Sequence, residues 1–204
     1  MNLKLTLSDA DTKIVDAWKS QFGRLPEVEI RTEDLLQVPA DAFLLPGNSF
    51  GFLDSGLELR IVETFGWEVQ DEIRKKIRTE FDGELLVGQA VILRLPSLPR
   101  ALVYAPIWRT PRPLAHTVNV FLAMRGAFIA IKKDATLQSL VVPGMGATGP
   151  HGIDPRISAR QIRYAYEMAN GQRGLGDKNL SQLHRREKKL QAIPGAEKED
   201  ADEA

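Results

Sequence analysis

An α/β layered domain is what this sequence predicts, and two observations predict it. Apolar runs of strand length alternate with amphipathic stretches of helix length from residue 3 to residue 169. Two of those runs, Ala42-Phe43-Leu44-Leu45 and Leu140-Val141-Val142, are wholly apolar, as strands covered on both faces are, and each opens into a glycine-rich stretch. The first stretch is Pro46-Gly47-Asn48-Ser49-Phe50-Gly51-Phe52-Leu53-Asp54-Ser55-Gly56, and the second is Pro143-Gly144-Met145-Gly146-Ala147-Thr148-Gly149-Pro150-His151-Gly152. Glycine lets a backbone turn its N–H groups toward an anion and come close to it. Such loops at the C-terminal ends of sheet strands hold the phosphates of nucleotides; they also serve as plain strand-to-helix connections.

The elements follow in order. Leu3, Leu5 and Leu7 alternate with polar residues, which predicts a strand with one buried face. Ser8 or Asp9 is placed to cap the next helix, whose Ile14, Val15 and Trp18 share one side before Gly23 ends it. Val28 and Ile30 mark a second strand, and Ala42 to Leu45 a third. Residues 57–81 read as helix with a break at Gly66, and within it Trp67 is expected to pack with Val69 and Ile73. Residues 89–95 and 101–105 read as strands joined by the Pro96/Pro99 turn. A largely apolar helix is predicted over 117–133 and another buried strand over 137–142. Asp154-Pro155 supplies the N-cap and first position of a helix through Ala169.

The character changes at Gly171. A basic run, His184-Arg185-Arg186-Glu187-Lys188-Lys189, is followed by a mostly acidic one over 197–203. This divides the chain into a domain over 1–170 and a charged, disordered tail over 171–204, with a helix-forming stretch from Leu180 to Leu190. The neighbouring acidic run cancels the basic one and no aromatics interleave, so the tail reads as solvated rather than as a nucleic-acid arm.

Composition narrows the function classes. The chain has 204 residues with Lys+Arg and Asp+Glu both 27, so no global field favours nucleic acid or a membrane surface. The cysteine count of 0 excludes disulfides, thiolate catalysis and Cys-based zinc sites, and is in keeping with a cytoplasmic protein. The opening Met1-Asn2-Leu3-Lys4-Leu5-Thr6-Leu7 lacks the apolar core and cleavage site of a signal peptide. No run spans a bilayer, and no His, Asp and Glu cluster has metal-ligand spacing.

Residues 28–56 resemble the opening half of a macrodomain, the module that binds ADP-ribose. Asp34-Leu35 is similar to the family's Asp-Ile, Asp41 to Asn48 to its buried strand ending in Asn, and Leu53-Asp54-Ser55-Gly56 to its Val-Asp-Gly element. Residues 141–152 resemble its second phosphate loop, with Thr148-Gly149 standing at the family's Thr-Gly pair. The resemblance implies a three-layer α/β/α fold around a central mixed sheet. It also implies a circular permutation, because the strand and helix of residues 3–22 resemble the family's last strand and helix moved to the front. In this respect the chain resembles macrodomain-like proteins of phages and bacteria.

The same resemblance assigns roles. The Asp34 carboxylate would accept from the adenine amine and the Leu35 amide would support it; otherwise Asp34 is a turn or helix cap. The backbone of Gly144, Met145, Gly146, Ala147, Thr148 and Gly149 would hold the diphosphate without adding charge. Asn48 would hold the distal ribose and Asp54 a hydrolytic water; the structural reading makes Asn48 a turn residue and Asp54 the cap of the next helix, and both readings can hold at once. His151 would sit over the distal ribose or assist a proton transfer, and Trp108 stands at a possible site edge. Leu45 replaces the family's first Asn, and Phe50 and Phe52 replace its glycine run, so that apolar rings would border the Asp54 carboxylate. The expected function is binding of ADP-ribose with hydrolysis of ADP-ribose linkages or derivatives, with no cofactor and no metal. Its partners would be ADP-ribose or an ADP-ribosylated macromolecule, with nucleic acid only as a modified substrate. A non-catalytic reader and a phage-associated accessory protein are the alternatives.

Overall fold

The computed structural model describes residues 3–172 and 179–195. Along the chain run β1 (Lys4–Ser8), α1 (Thr12–Phe22), β2 (Val28–Arg31), β3 (Ala42–Asn48), α2 (Gly56–Phe65), α3 (Glu68–Glu80) and β4 (Val91–Leu93). After these come β5 (Ala101–Trp108), α4 (Asn119–Lys132), β6 (Ser139–Val142), α5 (Pro155–Ala169) and α6 (Leu180–Gln191). Among the described residues the strands form one sheet in the order β2-β1-β6-β3-β5-β4. All neighbours pair parallel except β4, which closes the edge antiparallel to β5.

The wholly apolar strands sit where they are covered twice. Along β3, Ala42 and Leu44 pack under α1, α4 and α5, whereas Phe43 and Leu45 pack under α2 and α3. Strand β5 alternates the same way, with Val103 and Ala105 on the first side and Leu102 and Tyr104 on the second. Period-2 side-chain alternation therefore feeds two cores at once, giving the three layers. On α1, Ile14, Val15, Trp18 and Phe22 form the buried stripe. Asp154 caps α5 by accepting the Arg156 amide at 2.8 Å, with Pro155 at the first helical position.

Two local readings are corrected. Neither Ser8 nor Asp9 caps α1; Asp11 does, accepting the Lys13 amide at 2.8 Å. Ser8 is instead buried at the end of β1 and donates to the Glu33 carbonyl at 2.7 Å. Trp67 does not pack with Val69 and Ile73: it precedes the first turn of α3 and is 54% exposed. Of the residues after Gly171, 180–191 form α6, which lies on α5 with Leu190 buried. The buried Gln161 side chain donates to the Thr117 carbonyl at 2.8 Å and to the Leu190 carbonyl at 3.0 Å, joining the two helices. The acidic run expected over 197–203 lies outside the described residues. Among them, no helix is long and apolar enough to cross a membrane.

Candidate functional site

A cleft of about 570 Å³ crosses the C-terminal edge of the parallel strands, within the range of small-molecule sites. Its walls follow the strand order: Asp34 beyond β2, Ser8 at the end of β1 and Asp9 beyond it, Gly144 beyond β6, Pro46 in β3, and Ile107 and Trp108 at the end of β5. The first turn of α2 and the loop from Gly146 to His151 face one another across it. In open α/β sheets this is where ligands bind, because loops diverging from adjacent strands leave a crevice there.

Asp9 fixes the second glycine-rich loop. Its Oδ2 accepts the Gly144 amide at 3.0 Å while its Oδ1 accepts the Asp11 amide at 2.9 Å. The loop then turns with its carbonyls committed inward, as Met145 accepts from the Ser158 hydroxyl at 2.7 Å and Gly146 from the Ile153 amide at 2.7 Å. The amides of Met145, Gly146, Ala147, Thr148 and Gly149 donate to no group among the described residues. Gly144 therefore differs from its neighbours: its N–H is already spent.

Gly146 has φ +62°, and a Cβ there would lie 2.5 Å from Leu114. Its need for glycine comes from the core behind the loop. Gly149 has φ +77° and open space where a Cβ would stand.

The first glycine-rich loop is held from inside. Asn48, 5% exposed, accepts from the Phe50 and Phe52 amides at 3.1 and 3.3 Å and donates to the Phe52 carbonyl at 2.7 Å. Its amide fastens the loop and does not line the cleft, which is the turn role among the two read from the sequence. Asp54 is exposed and precedes the cleft-lining Ser55, and it caps nothing: Ser55 stands at the N-cap of α2 without a side-chain bond. The Phe50 and Phe52 rings do not enclose Asp54; they lie under the Arg109 and Arg74 guanidinium groups, 5.1 and 4.2 Å from the ring centroids.

At the β2 end, Asp34 accepts the Leu36 amide at 2.9 Å and pairs with Arg60 of α2. Burial pushes the Asp34 carboxyl up, but the Leu36 amide and the Arg60 guanidinium outweigh it and hold the group below its ordinary value. Leu35, buried beside it, also lines the cleft. The cap reading of Asp34 thus holds, with its second carboxylate oxygen committed to Arg60.

Three buried polar atoms on cleft-lining residues lack a hydrogen-bond partner: Trp108 Nε1, His151 Nδ1 and Glu58 Oε1. Buried polar atoms are nearly always paired, so three around one cleft mark it as a place for a polar ligand. Glu58 was not singled out by sequence. An acid in the first turn of a helix is ordinary, since it complements the helix dipole, and only the fold buries this one. Burial, and then the nearby Asp54 charge, push its carboxyl up to about 8. Among the described residues, no three His, Asp or Glu side chains gather as metal ligands.

No protein-family model matches the chain. Solved structures do. The chain superposes on the macrodomain of Mycobacterium tuberculosis DarG with TM-score 0.54 and 20% identity, over 70% of this chain and 88% of that one. The Oceanobacillus iheyensis macrodomain with ADP gives TM-score 0.57 and 16% identity, over 78% and 84%. Thermosipho africanus DarTG in complex with ADP-ribose gives 0.56 and 17%, over 68% of this chain and 38% of that one. The fold is the macrodomain fold, as the residues of both loops imply. In sequence, the chain is 30% identical to an uncharacterized protein of Aeropyrum pernix over 139 residues, 68% of this chain and 69% of that one. It is 26% identical to an uncharacterized protein of Aquifex aeolicus over 137 residues, 67% and 78%. The chain belongs to one family with the Aeropyrum pernix protein.

Proposed function

We propose that this chain binds ADP-ribose in the cleft and hydrolyses an ADP-ribosyl linkage on a macromolecule or small derivative. The observation that carries the binding reading is the run of amides from Met145 to Gly149 without a partner among the described residues, in a loop whose Gly146, Thr148 and Gly149 line a cleft of about 570 Å³. An array of N–H groups stabilises a diphosphate without a net cationic charge, which suits a chain with equal numbers of acids and bases. Trp108 Nε1, a donor at the end of β5, and His151 Nδ1, from the loop after β6, add two unpaired polar atoms on cleft-lining residues, which ribose hydroxyls would complete. ADP-ribose is the ligand named with one similar structure, and ADP with another. Cytoplasmic residence, with soluble ADP-ribosylated molecules at hand, is part of the same reading.

For hydrolysis, Asp54, exposed next to the cleft-lining Ser55, would orient a water, and Asn48 would act by holding the loop that carries it. A non-catalytic reader is the second reading, favoured by one observation: the Asn48 amide is spent on its own loop. Calorimetric titration with ADP-ribose tests the binding, and release of ADP-ribose from a modified protein tests the chemistry. Binding that weakens little with added salt supports the backbone-amide site. Binding without turnover supports the reader, and no binding at all removes the ADP-ribose reading.

A further inference from the structure

Glu58 is the one carboxyl that lines the cleft while being buried, at 7% exposure, with Oε1 lacking any partner. Among the described residues no cation neutralises it. Arg60, two residues further along the same helix, is committed to Asp34. Asp54, from the loop before α2, brings a like charge, and Tyr104 approaches from β5 with its hydroxyl already donated to the Asn48 carbonyl at 2.7 Å. An ionised carboxylate at this place would lose water, gain no donor and face a neighbouring anion. A neutral carboxylic acid has one O–H to give, and the cleft in front of it is where an anionic oxygen would lie.

We propose that Glu58 enters the ligand complex as a protonated acid and donates its O–H to a phosphate oxygen, so that phosphate capture is coupled to retention of one proton. This rests on the ADP-ribose reading of the cleft and names a recognition residue within it. The sign follows from the charges. The neutral acid attracts the phosphate and the carboxylate repels it, so affinity falls as the group ionises. With the carboxyl pushed up to about 8, that loss falls above neutral pH. One proton's linkage amounts to roughly a thirtyfold weaker complex at pH 9.5 than at pH 7. The other titratable groups on the cleft wall are Asp9, Asp34, Arg60 and His151, and of these the imidazole needs its own control.

Calorimetry with ADP-ribose from pH 6 to pH 9.5 reads the coupling directly, in buffers of differing ionisation enthalpy. Wild type should lose affinity above pH 8 and take up a proton on binding there. Glu58→Gln, a neutral donor at every pH, should bind with an affinity that hardly changes over the range, while His151→Gln should keep the wild-type slope. A wild-type affinity that is flat or rises with pH overturns the role of Glu58 and leaves the ADP-ribose site standing. Loss of the slope in His151→Gln instead assigns it to the imidazole and also overturns the proposal. Failure of wild type to bind at pH 6 removes the ADP-ribose reading and this proposal with it. Should Glu58→Gln not fold, carboxyl-carbon NMR of Glu58 in the wild type decides: its titration must move up in pH when ADP-ribose is added, and an unmoved midpoint refutes the coupling.

Discussion

The Tyr104 hydroxyl meets both backbone groups of Asn48, accepting from its N–H at 2.9 Å and donating to its C=O at 2.7 Å. The pairing of β3 with β5 shifts register between Gly47 and Asn48, and the side chain takes over the hydrogen bonds that the ladder drops there. The arrangement dictates the residue before Asn48. A Cβ on Gly47 would lie 2.3 Å from the Tyr104 hydroxyl.

Gly47→Ala should therefore destabilise the fold by about 2 kcal/mol or more, because Tyr104 is fully buried and has nowhere to move. Tyr104→Phe should cost roughly 1–3 kcal/mol by leaving a buried N–H and C=O without partners. Chemical denaturation measures both. Equal stability of Tyr104→Phe and wild type would mean that water replaces the hydroxyl and that the tyrosine does not hold the loop.

The two glycines of the second loop should separate folding from binding. Gly146→Val collides with Leu114 at positive φ and should lower thermal stability sharply. Gly149→Ala meets no protein atom and should fold with a loss of about 1–2 kcal/mol for its left-handed backbone. If the diphosphate lies along this loop, Gly149→Ala should also weaken ADP-ribose on the order of tenfold, equivalent to about 1.4 kcal/mol. Wild-type affinity in that variant would move the phosphates elsewhere in the cleft.

Which features the sequence disclosed depends on how local their causes are. The Asp154-Pro155 start of α5 and the break at Gly66 are written in adjacent residues, and the structure has both. The doubly covered strands β3 and β6 are legible because burial on two faces leaves no polar position. Asn48 was legible only as a position: its choice between ribose and loop depends on where Phe50 and Phe52 turn. Glu58 was invisible, since its burial at the cleft wall, near Tyr104 of β5, is created by the fold. Trp67 misled for a related reason, as helical spacing to Val69 and Ile73 does not apply to a residue standing before the helix.

Deleting residues 1–23 should abolish folding. The deletion takes β1 from between β2 and β6, and with it the buried stripe of α1 and the Asp9 carboxylate that fixes Gly144. Circular dichroism and size exclusion of the truncated chain measure this. A truncated domain with native stability would show that β1 is dispensable, and would sink the proposal that these elements are the family's final strand and helix moved to the front.

Glu58→Gln should gain stability relative to wild type as pH rises. The Glu58 carboxyl is raised from its ordinary 4.5 to about 8, so the folded state holds a proton that the unfolded chain releases across that window. Stability that is whole below the lower value is lost progressively toward the upper one. The amide carries no such dependence. The difference in unfolding free energy should widen by on the order of 3 kcal/mol between pH 5 and pH 8 in favour of the variant. A constant difference across the range would show that Glu58 titrates as an ordinary exposed acid.

The place of β1 also sets an order of events during synthesis. Strands β1 and β2 are made first and can pair at once, yet the other edge of β1 waits for β6, and the Asp9 to Gly144 bond spans 135 positions. Until residues 139–142 emerge, β1 and β3 each present an open strand edge, and the ligand cleft has no second loop. Closure of so distant a pairing is slow, and unpaired edges invite association with other chains. Any pairing formed before residues 139–142 are made thus leaves edges open to misassembly, and β6 closes both of them when it enters the sheet.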